Sequence, residues 1–250
     1  MISIKNAEQL QRMRVAGRIT GEALLVAEEA VRPGISTKAL EEVIRHHIEK
    51  RGARPTFLGY GGFPGAACIS VNDEVIHGIP SENRILKEGD IVKVDVGATI
   101  NGYTGDAART FPVGQITAEA AALIDATRES FFRAVQAAIS GNRIGDIGNA
   151  VESYVRPLGY TVVRKYVGHG VGAELHEDPN VPNYGTPGHG PRLFPGMTIA
   201  IEPMVNAGGA DVRVLENHWT VVTSDGSLSA HYENTVAIGE NGPELLTYIR

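Results

Sequence analysis

From Asn6 onward the apolar positions Leu10, Met13, Ala16, Ile19, Leu24 and Ala27 recur at the spacing of one helical face, and Pro33-Gly34 ends the pattern. This predicts a helix over residues 6 to 31 with Asn6 as its cap. A second helix is predicted from Thr37 to Arg51, with Leu40, Val43, Ile44 and Ile48 on one face and Gly52 as its stop. The chain then turns glycine-rich and aromatic. FLGYGGFPGAACISVNDEVIHGIP reads as a loop, an alternating strand at Ala67 to Val71, and a turn. KEGDIVKVDVGATINGYTGDAARTF alternates as a hairpin about Asn101-Gly102 does. A third helix opens at Thr117 and closes before Gly141, and a fourth lies near Asp146 to Val155. A short strand follows Gly159. Then come the glycine-rich VGHGVGAELHEDP, a Pro/Gly/Asn loop to Gly196, and the strand-rich runs MTIAIEPMV, VRVLENHWTVVT and SAHYENTVAI. No linker or composition break divides residues 1 to 250. The expectation is one α+β domain, with helices covering a mainly antiparallel sheet. A helix pair followed by a strand hairpin occurs twice, without a visible sequence repeat.

The hairpin carries the first candidate chemistry. A two-residue turn at Asn101-Gly102 sets Asp106 opposite Gly97, so Asp95 and Asp106 are diagonal neighbours on one sheet face, ~7–8 Å apart at Cα. The other face carries Val92, Val94 and Val96 and is expected to be buried. Two carboxylates that close need a cation between them or a proton on one. Taken singly, Asp95 also reads as an edge-strand charge and Asp106 as a turn cap. Glu202 sits in MTIAIEPMV and Glu233 in SAHYENTVAI, each a lone glutamate among strand formers with no Lys or Arg in its own strand. An unpaired carboxylate is costly to bury. Each alone also reads as a solvent-facing strand residue; four acids on strand centres in two hairpin-like halves do not. His169 is flanked by glycines that permit close approach, and His176 follows in the same segment. His77, in VIHGIP, becomes functional only in such company. GxxxxGK[ST] is absent, which removes the phosphate-loop reading of the glycines. The residues themselves point to a two-metal hydrolase.

Composition adds exclusions. The 250 residues are 42% apolar and 21% charged, ordinary for a globular protein, and the net charge of −6 argues against nucleic acid as a partner. The one cysteine, Cys68, excludes an internal disulfide and a thiolate zinc site. MISIKNAEQLQRMRVAG has no apolar signal core, and no run reaches the ~18 apolar residues that span a bilayer. A cytoplasmic protein with no membrane partner is expected.

Read in order, FLGYGGFP, CISVNDEVIHGIP, VKVDVGATINGYTGDAARTF, GHGVGAELHEDP, TIAIEP and the closing ENTV resemble the type I methionine aminopeptidases of the short bacterial form. The resemblance covers about residues 5 to 240. It implies the pita-bread (creatinase/aminopeptidase) fold: a curved antiparallel sheet with helices on its outer face, in two pseudo-symmetric halves. It also implies a site of two divalent metal ions. Asp95 would be bidentate on one, Asp106 and Glu233 would bridge, and His169 and Glu202 would complete the other. An oxygen-rich set with an imidazole suits Co, Mn, Fe or Zn. The implied reaction is hydrolysis of the N-terminal methionine from nascent proteins and peptides, with a small second residue preferred and a bridging hydroxide as nucleophile. Glu202 would accept its proton, His176 would stabilise the oxyanion, and His77 would contact the scissile amide. Tyr60, Phe63, Cys68 and Trp219, with Leu175 nearby, would line a methionine pocket whose soft walls suit a thioether; plain core packing is the alternative. Cys68 has apolar flanks and no local base, so it reads as a wall rather than a nucleophile. The expected partners are the N-terminal segments of nascent chains at the ribosome, met by a monomer. Two positions depart from the commoner pattern: Gly61 and Asn234 stand where His is frequent. Proline-specific relatives share the metal set but carry a large N-terminal domain, and creatine amidinohydrolase shares the fold without the ligands.

Overall fold

The computed structural model describes residues 1 to 249. The first half holds α1 (Ala7–Ala30), α2 (Thr37–Lys50), β1 (Arg54–Pro55), β2 (Ala67–Val71), β3 (Glu74–Ile76), β4 (Ile91–Ile100) and β5 (Tyr103–Pro112). The second holds α3 (Ala118–Ala137), α4 (Ile144–Val155), β6 (Thr161–Val162), β7 (Gly168–Gly170), β8 (Glu177–Val181), β9 (Thr198–Ile201) and β10 (Met204–Asn206). Beyond these lie β11 (Val212–Val214), β12 (Val221–Thr223), β13 (Ser229–His231), β14 (Asn234–Ile238) and β15 (Pro243–Leu245). Every strand pairing among the described residues is antiparallel.

Local chemistry sets the helix limits. The Asn6 side chain accepts from the Gln9 N–H while the Gln9 side chain accepts from the Asn6 N–H, which satisfies two donors that a helix start leaves unpaired. Ser36 caps α2 and Thr117 caps α3 in the same sense. One inward position of α2 differs from expectation. Val43 is 39% exposed, because the buried row runs Leu40, Ile44, Ile48 and Val43 stands beside it. Glu41 turns inward instead, 1% exposed, and its carboxylate accepts from Lys38 and from the Ala66 N–H.

Asn101 and Gly102 both adopt positive φ (53° and 75°), as the tight turn between twisted strands requires. The resulting register pairs Gly97 with Asp106 and Asp95 with Ala108, as the turn predicted. Val92, Val94 and Val96 pack under α1 and α2 with Ile19, Leu24, Leu40 and Ile44. The second half has its own core, in which Leu123, Phe131, Ile147 and Val151 of α3 and α4 cover Ile199, Ile201, Val205 and Val236. Each half thus carries a helix pair on one side of its strands, and the aspartates of β4 and β5 project from the opposite side.

The strand reading of the glutamate segments needs correction. MTIAIEPMV breaks at Glu202-Pro203 into β9 and β10, and SAHYENTVAI breaks at Tyr232-Glu233 into β13 and β14. Pro203 has no N–H for a ladder, so pairing cannot run through it. β9 pairs with β14 and β10 with β13, so both segments change sheets at the same level. Glu202 and Glu233 therefore stand at paired breaks, not at strand centres. Glu233 uses the break to bond β5 across the midline: its N–H donates to the Ala108 carbonyl (2.9 Å) and its carbonyl accepts from the Ala108 N–H.

Glycine sets how closely α1 approaches β5. A Cβ on Gly105 would lie 2.7 Å from the Gly17 Cα, so the helix and the strand touch backbone to backbone. Gly105→Ala is expected to push α1 outward and to cost about 1–3 kcal/mol, the usual range for overpacking. Urea unfolding of the variant checks this; an unchanged midpoint would show that the helix can give way freely.

Candidate active site

The candidate ligands, catalytic residues and pocket residues named from the sequence all line one cavity of about 240 Å³; Asn234 does not. Asp95 comes from β4 and Asp106 from β5, two residues along from one another on the face away from the helices. The two strand breaks deliver Glu202 and Glu233, and β7 delivers His169 from between its glycines. Asp106, Glu202, Glu233 and His169 are buried, and Asp95 is half-buried. His77 and His176 flank the opening with Tyr60. Phe63, Cys68, Leu175 and Trp219 form an apolar wall, joined by Phe57 and Ile76, which the sequence did not single out. Trp219 reaches this wall from the turn of the β11–β12 hairpin and meets Phe63 edge-on at 5.2 Å.

Among the described residues none of the four carboxylates has a Lys or Arg in ion-pair range; their close neighbours are imidazoles. His169 Nε2 is 3.6 Å from Asp106 Oδ2 and 3.6 Å from Glu202 Oε1. Its Nδ1 bonds to the Gly170 carbonyl at 2.8 Å, which fixes the ring and aims Nε2 into the cluster. Burial lowers the pKa of His169 to about 3, with His176 adding to the effect, so the ring is neutral at pH 7 and these contacts are not ion pairs. Burial likewise takes His77 to about 4 and lowers His176.

The acids are displaced the other way. Burial raises Asp95 to about 7. Asp106, Glu202 and Glu233 are held well above the carboxylate range, first by burial and then by repulsion from neighbouring acids. Asp95 Oδ1, Asp106 Oδ1 and Glu233 Oε1 are buried atoms with no hydrogen-bond partner among the described residues. Orphaned acceptors, mutual repulsion and neutral imidazoles together fit a site for cations, which would reverse the sign of the local field. Two donor groups are formed: Asp106, His169 and Glu233 in one, Asp95, His231 and Glu233 in the other, with donor atoms in each within 4.8 Å of one another. Glu233 belongs to both, the position of a bridging ligand. Asp106 belongs to only one.

His231 is the residue that sequence reading missed. It is 1% exposed, and its Nε2 lies 3.7 Å from Glu233 Oε2 and 3.8 Å from Glu202 Oε2. Its one local signal is its place two residues before Glu233, although the strand in fact ends at His231 and the two side chains meet across the break. The two unusual positions also have structural settings. Gly61 has φ 56°, and a Cβ there would touch the Trp219 ring at 3.5 Å. Buried Asn234 accepts from Arg109 Nη2 (2.7 Å) and from the Thr247 hydroxyl (3.0 Å). Arg109, stacked on Tyr232, also donates to the Glu233 carbonyl, so the pair holds the backbone of a cluster glutamate from behind. Cys68 is buried, and its thiol is pushed well above its usual range by burial and by the nearby acids. It is protonated at neutral pH.

These displacements give metal-free protein a distinctive pH response. With no cation bound, the folded state keeps protons on carboxyls that the unfolded chain has released, so stability falls as pH rises. Below about pH 6.5 the histidines oppose this, since unfolded imidazoles bind protons that the buried rings do not. Above it Lys93, lowered to about 7 by burial, acts in the opposing sense, but as one group against three strongly raised carboxyls. Chelator-treated protein is therefore expected to lose thermal stability between about pH 6.5 and 8, and excess Mn(II) to abolish the loss, because deprotonated carboxylates are the ligating form. Thermal unfolding across that window, with and without the metal, decides it; a metal-free Tm that climbs with pH would contradict the account.

The model of metallopeptidase family M24 matches residues 11–240. The chain is 58% identical over 247 residues to the methionine aminopeptidase of Clostridium acetobutylicum, covering 99% of each chain. It is 49% identical to methionine aminopeptidase 1 of Bacillus subtilis, covering 100% of each. The crystal structure of methionine aminopeptidase from Thermotoga maritima superposes with a TM-score of 0.98 at 46% identity, covering 100% of both chains. The architecture of paired helix-and-hairpin halves is the pita-bread fold. With fold, ligand cluster and full-length similarity in agreement, the chain belongs to metallopeptidase family M24, among the type I methionine aminopeptidases of the bacterial form.

Proposed function

We propose that this chain hydrolyses the peptide bond after an N-terminal methionine, on nascent polypeptides and peptides whose second residue is small. The observation that carries this reading is the meeting of two unlike surfaces in one cavity. The floor is a cluster of carboxylates and neutral imidazoles, and the wall is Phe63, Cys68, Leu175 and Trp219. Such a wall accepts a flexible thioether, and the floor accepts the polar end of the same residue. Residues 1 to 250 act in this reading as a single catalytic unit, a monomer that meets its substrates in the cytoplasm as they leave the ribosome. Among the described residues no helix is long and apolar enough to cross a membrane.

Asp95, Asp106, His169, Glu202 and Glu233 would hold two divalent cations, which supply Lewis acidity at the carbonyl and a more acidic water. The protein's own groups do the rest. Glu202 takes the proton of the attacking water, as a carboxylate at the floor of the cavity beside the other acids can. The Tyr60 hydroxyl is 2.7 Å from His176 Nδ1. Donation from that hydroxyl leaves the proton on Nε2, so His176 offers an N–H to the carbonyl oxygen as negative charge builds there. His77 contacts the scissile amide. It is held at φ 58°, a conformation that L side chains rarely adopt, with its ring edge-on to Trp219 and Tyr166. The half-buried Asp95 marks the end of the cavity that receives the free α-amine.

Metal-reconstituted protein should release methionine from Met-Ala-Ser and leave Pro-Ala-Ser intact; cleavage of neither across Co, Mn, Fe and Zn would overturn the reading. His176→Ala should lower kcat by ~10²–10³ with metal content unchanged, the range for losing one donor to a developing oxyanion. An unaltered kcat would remove His176 from that role.

A further inference from the structure

We propose that His231 is itself a metal ligand, its Nε2 joining Asp95 and Glu233 so that each of the two cation positions carries one imidazole. The inference rests on the two-cation reading above and extends its ligand set from five side chains to six.

The geometry of His231 parallels that of His169. His169 Nε2 stands 3.6 Å from carboxylate oxygens of Asp106 and Glu202; His231 Nε2 stands 3.7 and 3.8 Å from those of Glu233 and Glu202. These separations are too long for hydrogen bonds. They are close to the ~3.4 Å between two ligands that share a tetrahedral ion at ~2.1 Å. Neither ring nitrogen of His231 has a hydrogen-bond partner among the described residues, although the residue is 1% exposed. A buried imidazole left without partners is costly; a cation at Nε2 removes the part of that cost that falls on Nε2. The position is also fixed. Thr110 of β5 accepts from the His231 N–H and donates to the His231 carbonyl, both at 2.9 Å, so the side chain is presented from a pinned backbone.

The two histidines differ in one respect. His169 Nδ1 bonds to the Gly170 carbonyl, whereas His231 Nδ1 has no acceptor. Support of that kind is worth ~10–100-fold in metal affinity. The position served by His231 is therefore the weaker of the two, the one filled second.

Isothermal titration of metal-free protein with Mn(II) or Co(II) tests this on the wild type, His231→Ala and His231→Gln. The wild type should take up two equivalents. Both variants should keep the first and lose ~100-fold or more in affinity for the second, the top of the ~10–100-fold range for groups that only support a ligand or beyond it. Gln keeps a hydrogen-bond donor without an imidazole, so restored affinity in His231→Gln would overturn the proposal and leave His231 a hydrogen-bonding spacer. Wild-type affinity in both variants would overturn it as well. The Co(II) protein gives a readout independent of affinity: hyperfine-shifted imidazole proton signals from two ligating histidines in the wild type and from one in either variant. Thermal unfolding of the metal-free variants identifies any that fail to fold, and the remaining variant then carries the test. Uptake of only one equivalent by the wild type would count against the two-cation reading itself.

Discussion

Four carboxyl groups gathered out of water, with no Lys or Arg among the described residues in ion-pair range, form the constraint on which the rest of the structure depends. Their repulsion and desolvation are intolerable to a bare fold at neutral pH unless protons or cations compensate. The surroundings favour cations. The histidines beside the acids are held neutral by burial, which suits imidazole to ligation and denies the acids a compensating positive charge. Buried carboxylate oxygens without hydrogen-bond donors are left for an ion to occupy. The scaffold bears the strain through backbone ties: Thr235 joins β14 to Asp106, Ala108 joins β5 to Glu233, and Arg109 holds the Glu233 carbonyl from behind.

Arg109 and Asn234 show how an unusual residue can be accommodated without touching the cluster. Burial lowers the Arg109 pKa, yet its guanidinium is spread over Tyr232, two backbone carbonyls and the Asn234 side chain. An amide oxygen at position 234 is an acceptor this cation can use. A protonated histidine there would meet it as a like charge.

Much of this was legible in the chain because the deciding signals were local. Asn6 and Thr117 cap helices through neighbours three residues away, and Asn101-Gly102 sets a register that carries Asp95 and Asp106 to one face. Where the outcome depended on distant partners, local pattern misled. Val43 looked inward because its apolar neighbours do, but the buried row is narrower than the apolar stripe, and Glu41 found its partners in Ala66 and Lys38. Alternation ran unbroken through MTIAIEPMV and SAHYENTVAI, so the sheet changes at Glu202 and Glu233 were hidden, although Pro203 marks one of them. The role of His231 is hidden in the same way: its burial is created by strands remote in sequence. The apolar wall, drawn from segments as far apart as Phe63 and Trp219, was legible only through family resemblance.

The centre is divided between two separately cored halves, Asp95 and Asp106 from one and His169, Glu202 and Glu233 from the other. Neither half alone gathers the whole set: the second half holds Glu202 and Glu233 with His169 and His231, and Asp95 and Asp106 come only from the first. Hydrolytic competence is therefore a certificate of completed folding: a chain stalled with one half formed carries part of the set and no working site. An enzyme that trims unfinished proteins is by this arrangement kept inert until it is itself finished.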